Sequence, residues 1–96
     1  MTKYFIINYL KEHKQEFKTN YNVEKIGLFG SYSRDEATED SDIDIFVTMQ
    51  ANLLNMVAVK EKIEDDLHKK VDLIRKHKNM KSIFLEMIQK DVVYAW

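Results

Sequence analysis

The chain has 96 residues, with 15 Lys or Arg against 16 Asp or Glu, three histidines, no cysteine and no proline. Such a length buries roughly two-thirds of its unfolded surface around one core and leaves no room for a second, so one domain over residues 1–96 is expected. Without cysteine there is no disulfide or thiolate zinc site, the scattered His13, His68 and His77 lack ligand spacing, and a net charge of −1 leaves no basic footprint for stand-alone binding of nucleic acid.

The opening Met-Thr-Lys-Tyr-Phe-Ile-Ile-Asn-Tyr-Leu carries charges close to its apolar residues and no small-residue cleavage site. It does not read as a secretory signal, and a cytoplasmic location is expected. From Lys3 to Phe17, Ile6, Leu10 and Phe17 recur at helical spacing with Phe5 and Tyr9 alongside, which predicts one amphipathic helix capped by Thr2. Asn20 and Asn22 mark a turn, and Val23 to Phe29 reads as a short strand ending at Gly30. After a polar, acidic stretch, Ile43, Ile45 and Val47 alternate with Asp42, Asp44 and Phe46 in the period-two pattern of a second strand. Even this run is far too short to span a membrane, so no membrane partner is expected.

Met56, Val59, Ile63 and Leu67 then form one stripe of a long helix whose other face is charged. Val71 to Ile74 reads as a third strand, and Met80, Ile83, Phe84, Met87 and Ile88 as the stripe of a last helix. The apolar ending Val92 to Trp96 either packs against the sheet or offers a partner surface. The order helix, strand, strand, helix, strand, helix, with room for a short helix after Ser31, implies an α/β or α+β fold with a small mixed sheet of about three strands layered with helices.

Both glycines of the chain, Gly27 and Gly30, fall within four residues of each other. A glycine at a strand end lets a phosphate approach the main chain, Ser31 adds a hydroxyl and an amide donor, and a helix starting there would point its positive end at the anion. Taken by itself the pair is more often a strand-ending turn. Asp42 and Asp44 add chemistry, because residues two apart on a strand share a face and adjacent carboxylates repel unless a cation lies between them. Magnesium suits such hard oxygen ligands, and two ions about 4 Å apart can engage both the attacking and the leaving oxygen of a phosphoryl group. Asp72 interrupts an otherwise apolar strand and joins this cluster if its strand adjoins the second; otherwise it is an edge charge that discourages aggregation.

The spacing Gly-Ser, ten residues, Asp-x-Asp arises by accident in such a chain on the order of once per thousand. These residues resemble the signature of the polymerase-beta-type nucleotidyltransferase superfamily, in its minimal nucleotidyltransferase (MNT) branch. The resemblance extends to Leu28-Phe29, Arg34, Ser41, Val71-Asp72-Leu73-Ile74 and the ending Ile88 to Tyr94, which is similar to the family's last helix. It departs at Asp35, where MNT sequences often have glycine after the loop arginine. Arg34 can hold a donor phosphate or pair with Asp35, Glu36 or Asp40; Tyr32 can stack on a base or sit in the core.

The resemblance implies a palm-like nucleotidyltransferase fold and transfer of AMP from ATP to an acceptor hydroxyl, with two magnesium ions held by Asp42, Asp44 and Asp72 and the donor held by Gly30, Ser31 and Arg34. It further implies an antitoxin that adenylylates a tyrosine of a small helical HEPN RNase toxin; a homo- or hetero-oligomer is left open by the sequence. Transfer to a small molecule or an RNA end, and a non-catalytic ATP-binding module that masks its partner, are the competing expectations.

Overall fold

Thr2 opens the first helix by accepting the Phe5 N–H at its hydroxyl (3.2 Å), as its sequence position predicts. In the computed structural model, which describes residues 1–96, this helix (α1, Lys3–Glu12) stops short of Phe17 and a second (α2, Lys14–Tyr21) follows. The break is at His13, whose backbone leaves helical geometry (φ −99°, ψ 9°) while its ring Nδ1 lies 2.8 Å from the Tyr9 carbonyl and stacks on the Tyr9 ring. The Tyr9 carbonyl is shared between this ring and the His13 backbone N–H (3.2 Å). Ile6, Leu10 and Phe17 nevertheless all reach the core, so the helical spacing identified the right face across the break.

Asn22 ends α2 in the left-handed conformation (φ 57°) and the chain enters β1 (Val23–Phe29), which pairs antiparallel with β2 (Ile43–Met49) around a bulge between Val23 and Lys25. The long helix α4 (Leu53–Leu67), capped by the Asn52 side chain at the Asn55 N–H (3.0 Å), crosses over to β3 (Val71–Arg75), parallel to β2. Its predicted stripe holds: Val59, Ile63 and Leu67 are buried and Met56 packs against them. No helix is long and apolar enough to cross a membrane.

The sheet has four strands rather than three, in the order β3-β2-β1-β4. The last helix, α5 (Ser82–Asp91), ends before Val92, and the residues expected to continue the family's final helix turn instead into β4 (Val93–Tyr94), antiparallel to β1. Gly27 permits this: a Cβ there would come within 2.7 Å of Val92 Cγ2 and 3.0 Å of Tyr94 Cδ1. The Ala95 N–H donates to the Ile26 carbonyl (2.9 Å) and Trp96 packs near Phe17, so the apolar ending belongs to the sheet and core.

Alternation along the strands sends Ile26, Leu28, Ile43, Ile45 and Val47 into the core shared with α1, α2 and α4. The opposite face carries Asp44, the edge-to-face pair Phe29–Phe46 and the C-terminal end of α5. The predicted stripe of α5 does not pack inward: only Ile88 is buried, while Ile83, Phe84 and Met87 are 69%, 44% and 66% exposed. The reason is topological, because the core on the other face is already filled by three helices and α5 meets the sheet mainly at β1.

Candidate active site

At the end of β1 the chain turns sharply at Gly30, whose φ of +75° disfavours any side chain. A Cβ here would also overlap Asp44 Oδ2, so the Asp44 carboxylate lies directly against the backbone of the turn. The short helix α3 (Gly30–Ser33) begins at Gly30 itself, two residues earlier than a helix after Ser31 would. Ser31 is half-buried and its carbonyl accepts the Glu36 N–H (2.9 Å). The Ser33 hydroxyl donates to the Asp91 carbonyl, and Lys3 Nζ donates to the Ser33 carbonyl (3.4 Å) while pairing with Asp35 (3.2 Å). The turn is thus anchored to α5 and to the start of α1. Asp35 adopts a left-handed φ of 59°, the conformation for which glycine is the default, so the departure from the MNT pattern keeps the turn and carries local strain.

Asp42 is exposed immediately before β2, and Asp44 is half-buried within it. In the parallel register Asp44 stands opposite Asp72 on β3, which meets the condition under which Asp72 joins the acidic pair. Burial, then the charges of Asp72 and Asp42, push the Asp44 carboxyl up to about 6, with Arg34 opposing them. This repulsion is what a bound cation relieves, and the oxygen donors fit magnesium. Asp42, Asp44 and Asp72 do not close into a ready-made metal site; magnesium commonly completes its coordination with water and substrate phosphate oxygens.

Arg34 is exposed and forms ion pairs with Glu36 (3.0 Å) and Asp91 (2.7 Å) rather than with Asp35 or Asp40. Both carboxylates hold its guanidinium above its ordinary value, Asp91 most strongly. Tyr32 is a core residue, and His13 lies between Tyr9 and Asp66 (3.8 Å), away from the acids.

Two supports escaped the sequence reading. Asp91 holds Arg34 from 57 residues away, a distance over which no local pattern operates. Lys69 Nζ donates to the carbonyls of Glu39 (2.6 Å) and Ser41 (3.1 Å), fastening the loop before Asp42 to the residue pair that precedes β3. The Ile43 N–H to Lys70 carbonyl bond (2.9 Å) and the Glu64 carboxylate at the Val71 N–H (2.9 Å) complete this clamp and bring the two acidic strand ends into register. A lysine pair before a strand is the only local trace of it.

A glycine turn at a strand end, packed against one of two carboxylates in register on neighbouring strands, is compatible with phosphoryl chemistry. Residues 9–95 match the family model described as polymerase beta, nucleotidyltransferase. The chain is 40% identical over 88 residues to the protein adenylyltransferase MntA of Thermococcus cleftensis, covering 90% of this chain and 88% of that protein. Its fold is similar to that of a candidate minimal nucleotidyltransferase (TM-score 0.78, 23% identity, 97% of this chain and 95% of the other). It is also similar in fold to a chain in the complex of the tri-AMPylated HEPN toxin of Shewanella oneidensis with its MNT antitoxin (TM-score 0.64, 19% identity, 94% and 71% covered). The chain therefore belongs to the polymerase-beta-type nucleotidyltransferase family, in its minimal nucleotidyltransferase branch.

Proposed function

We propose that this nucleotidyltransferase moves AMP from ATP to a tyrosine hydroxyl of a small helical HEPN RNase and thereby acts as its cytoplasmic antitoxin. The observation that carries the reading is the contact of the Gly30 turn with the Asp44 carboxylate, opposite which stands Asp72. In this reading a glycine turn whose backbone can receive a phosphate lies beside a carboxylate that can hold a cation. The activity named for the 40%-identical relative and the toxin complex with a similar fold support the choice of acceptor.

In this reading the Gly30 turn and Ser31 bind the triphosphate through backbone and hydroxyl donors, and Arg34 exchanges a carboxylate partner for a phosphate oxygen. Asp42 and Asp44, with Asp72 on the acceptor side, would hold two magnesium ions, which supply the positive charge that offsets the phosphates and lowers the pKa of the attacking hydroxyl. Asp72 orients that hydroxyl and helps to remove its proton. The oxygen–phosphorus bond to the α-phosphorus forms as the bond to the leaving pyrophosphate breaks.

The test incubates the protein with magnesium, α-labelled ATP and a HEPN partner, comparing wild type with Asp42→Asn, Asp44→Asn and Asp72→Asn. Label on a partner tyrosine, lost in the variants, is expected. A wild type that silences the RNase without transferring label, matched by all three variants, would establish stoichiometric masking instead.

A further inference from the structure

The sheet order separates donor and acceptor sides of the site. The phosphate turn follows β1, Asp44 is on β2 and Asp72 on β3, an edge strand. With neighbouring strands about 4.8 Å apart, β3 lies roughly 10 Å from β1. An in-line displacement has its nucleophile opposite the leaving group. If pyrophosphate leaves toward the Gly30 turn, the acceptor arrives over β3.

That side is built for an occupant. Ile74 lies two residues beyond Asp72 on the same strand face, about 7 Å along the chain, and with Met80 and Phe84 it forms the apolar floor of a cavity of about 320 Å³. Arg75, His77 and Lys81 line its rim. Residues 75–81 carry Arg75, Lys76, His77, Lys78 and Lys81, with no acid between Asp72 and Glu86, in a chain whose net charge is −1. Arg75 is steadied by the Met49 and Lys76 carbonyls (3.3 Å each), whereas Lys76, Lys78 and Lys81 take no part in the ion pairs of the chain. On the same helix as Phe84, Ile83 and Met87 are also exposed.

We infer that the β3–α5 groove docks the acceptor: a protein segment carrying acidic residues and an apolar or aromatic anchor beside the tyrosine to be modified. This rests on the transferase reading above. The positive rim selects acidic flanks and speeds encounter, and the apolar floor takes the anchor. The same apolar floor favours a protein over a nucleic acid, for which phosphate-tracking cations would have to extend along a longer groove.

The test uses fluorescent peptides with one tyrosine and one leucine, flanked either by Asp and Glu or by Lys, and a single-stranded RNA as a third probe. Binding is read by anisotropy, and transfer by label from α-labelled ATP with magnesium. Wild type should bind the acidic peptide about tenfold more tightly than the basic one. The doubly reversed Lys78→Glu/Lys81→Glu variant should lose that preference, and Phe84→Ala should weaken binding of the acidic peptide, both with unchanged ATP affinity and unchanged thermal unfolding. Equal binding of the two peptides, or RNA bound more tightly than either, overturns the proposal. Selective binding of the acidic peptide without label on its tyrosine supports the docking surface and counts against the transferase reading, so the two fail separately.

Discussion

Replacing Asp44 by asparagine keeps the shape that fits against Gly30 and removes a charge that the folded protein disfavours. The carboxyl titrates at about 6 in the fold against an ordinary 3.8, so the folded state binds the proton more tightly than the unfolded chain. Stability contributed by that proton is present below about 3.8 and is lost as pH rises through about 6; above that, wild type carries the full cost of the ionised group. The gap between the two values corresponds to at most ~3 kcal/mol, and screening of this half-exposed side chain reduces it to about 1 kcal/mol. In chelator at pH 8, Asp44→Asn should therefore be more stable than wild type in urea unfolding, with a Tm higher by about 4–8 °C. The advantage should shrink through pH 6 and vanish near pH 4. Acids that do not interact with Asp44, such as Asp66, contribute equally in both proteins and cancel in the difference. Under the proposed metal role of the carboxylate set, magnesium should raise the Tm of wild type more than that of the variant. A variant no more stable than wild type at pH 8, or an advantage independent of pH, would refute the electrostatic account of the site.

Three further outcomes follow from named contacts. Gly30→Ala meets both a left-handed φ and the Asp44 carboxylate, and should cost about 2–4 kcal/mol in urea unfolding; adding Asp44→Ala should restore part of that loss, a non-additivity absent if backbone strain alone is responsible. Asp35→Gly relieves the left-handed backbone but gives up the Lys3 ion pair, leaving a net gain of about 0.5 kcal/mol; a loss would mean the ion pair outweighs the strain. Tyr9→Phe removes the 2.6 Å hydrogen bond to Asp66 and should cost about 1 kcal/mol at pH 7. The Tyr9 hydroxyl, followed by Lys62 and His13, holds the Asp66 carboxyl below its ordinary value, so its stabilisation is complete above 3.8 and fades at lower pH. The Tyr9→Phe deficit measured by urea titration should therefore narrow in acid; a constant deficit would assign it to packing.

Much of the site is legible in one dimension because its chemistry is encoded at short range. The Gly30-Ser31 pair marks a strand end, and the Asp-x-Asp spacing places both acids toward one face at the mouth of β2, although the strand itself starts after Asp42. The acid in Val71-Asp72-Leu73-Ile74 stands out because it interrupts an otherwise apolar strand, although an edge charge would leave the same trace. The break at His13 is illegible because the apolar spacing of Ile6, Leu10 and Phe17 persists through it, and the partner of Arg34 because Asp91 lies at the far end of another helix.

The amino-acid order by itself determined three of the four strands, the long helix and the Gly-Ser, Asp-x-Asp pattern, since backbone periodicity and glycine's freedom act over a few residues. Only the tertiary structure decided that Asp44 and Asp72 stand in register, that Val93–Tyr94 completes a fourth strand, and that α5 turns Ile83, Phe84 and Met87 outward. Strand pairing and the choice of a buried face depend on which surfaces are already occupied. Here the core face was filled by α1, α2 and α4, leaving the acidic face and the β3 edge open.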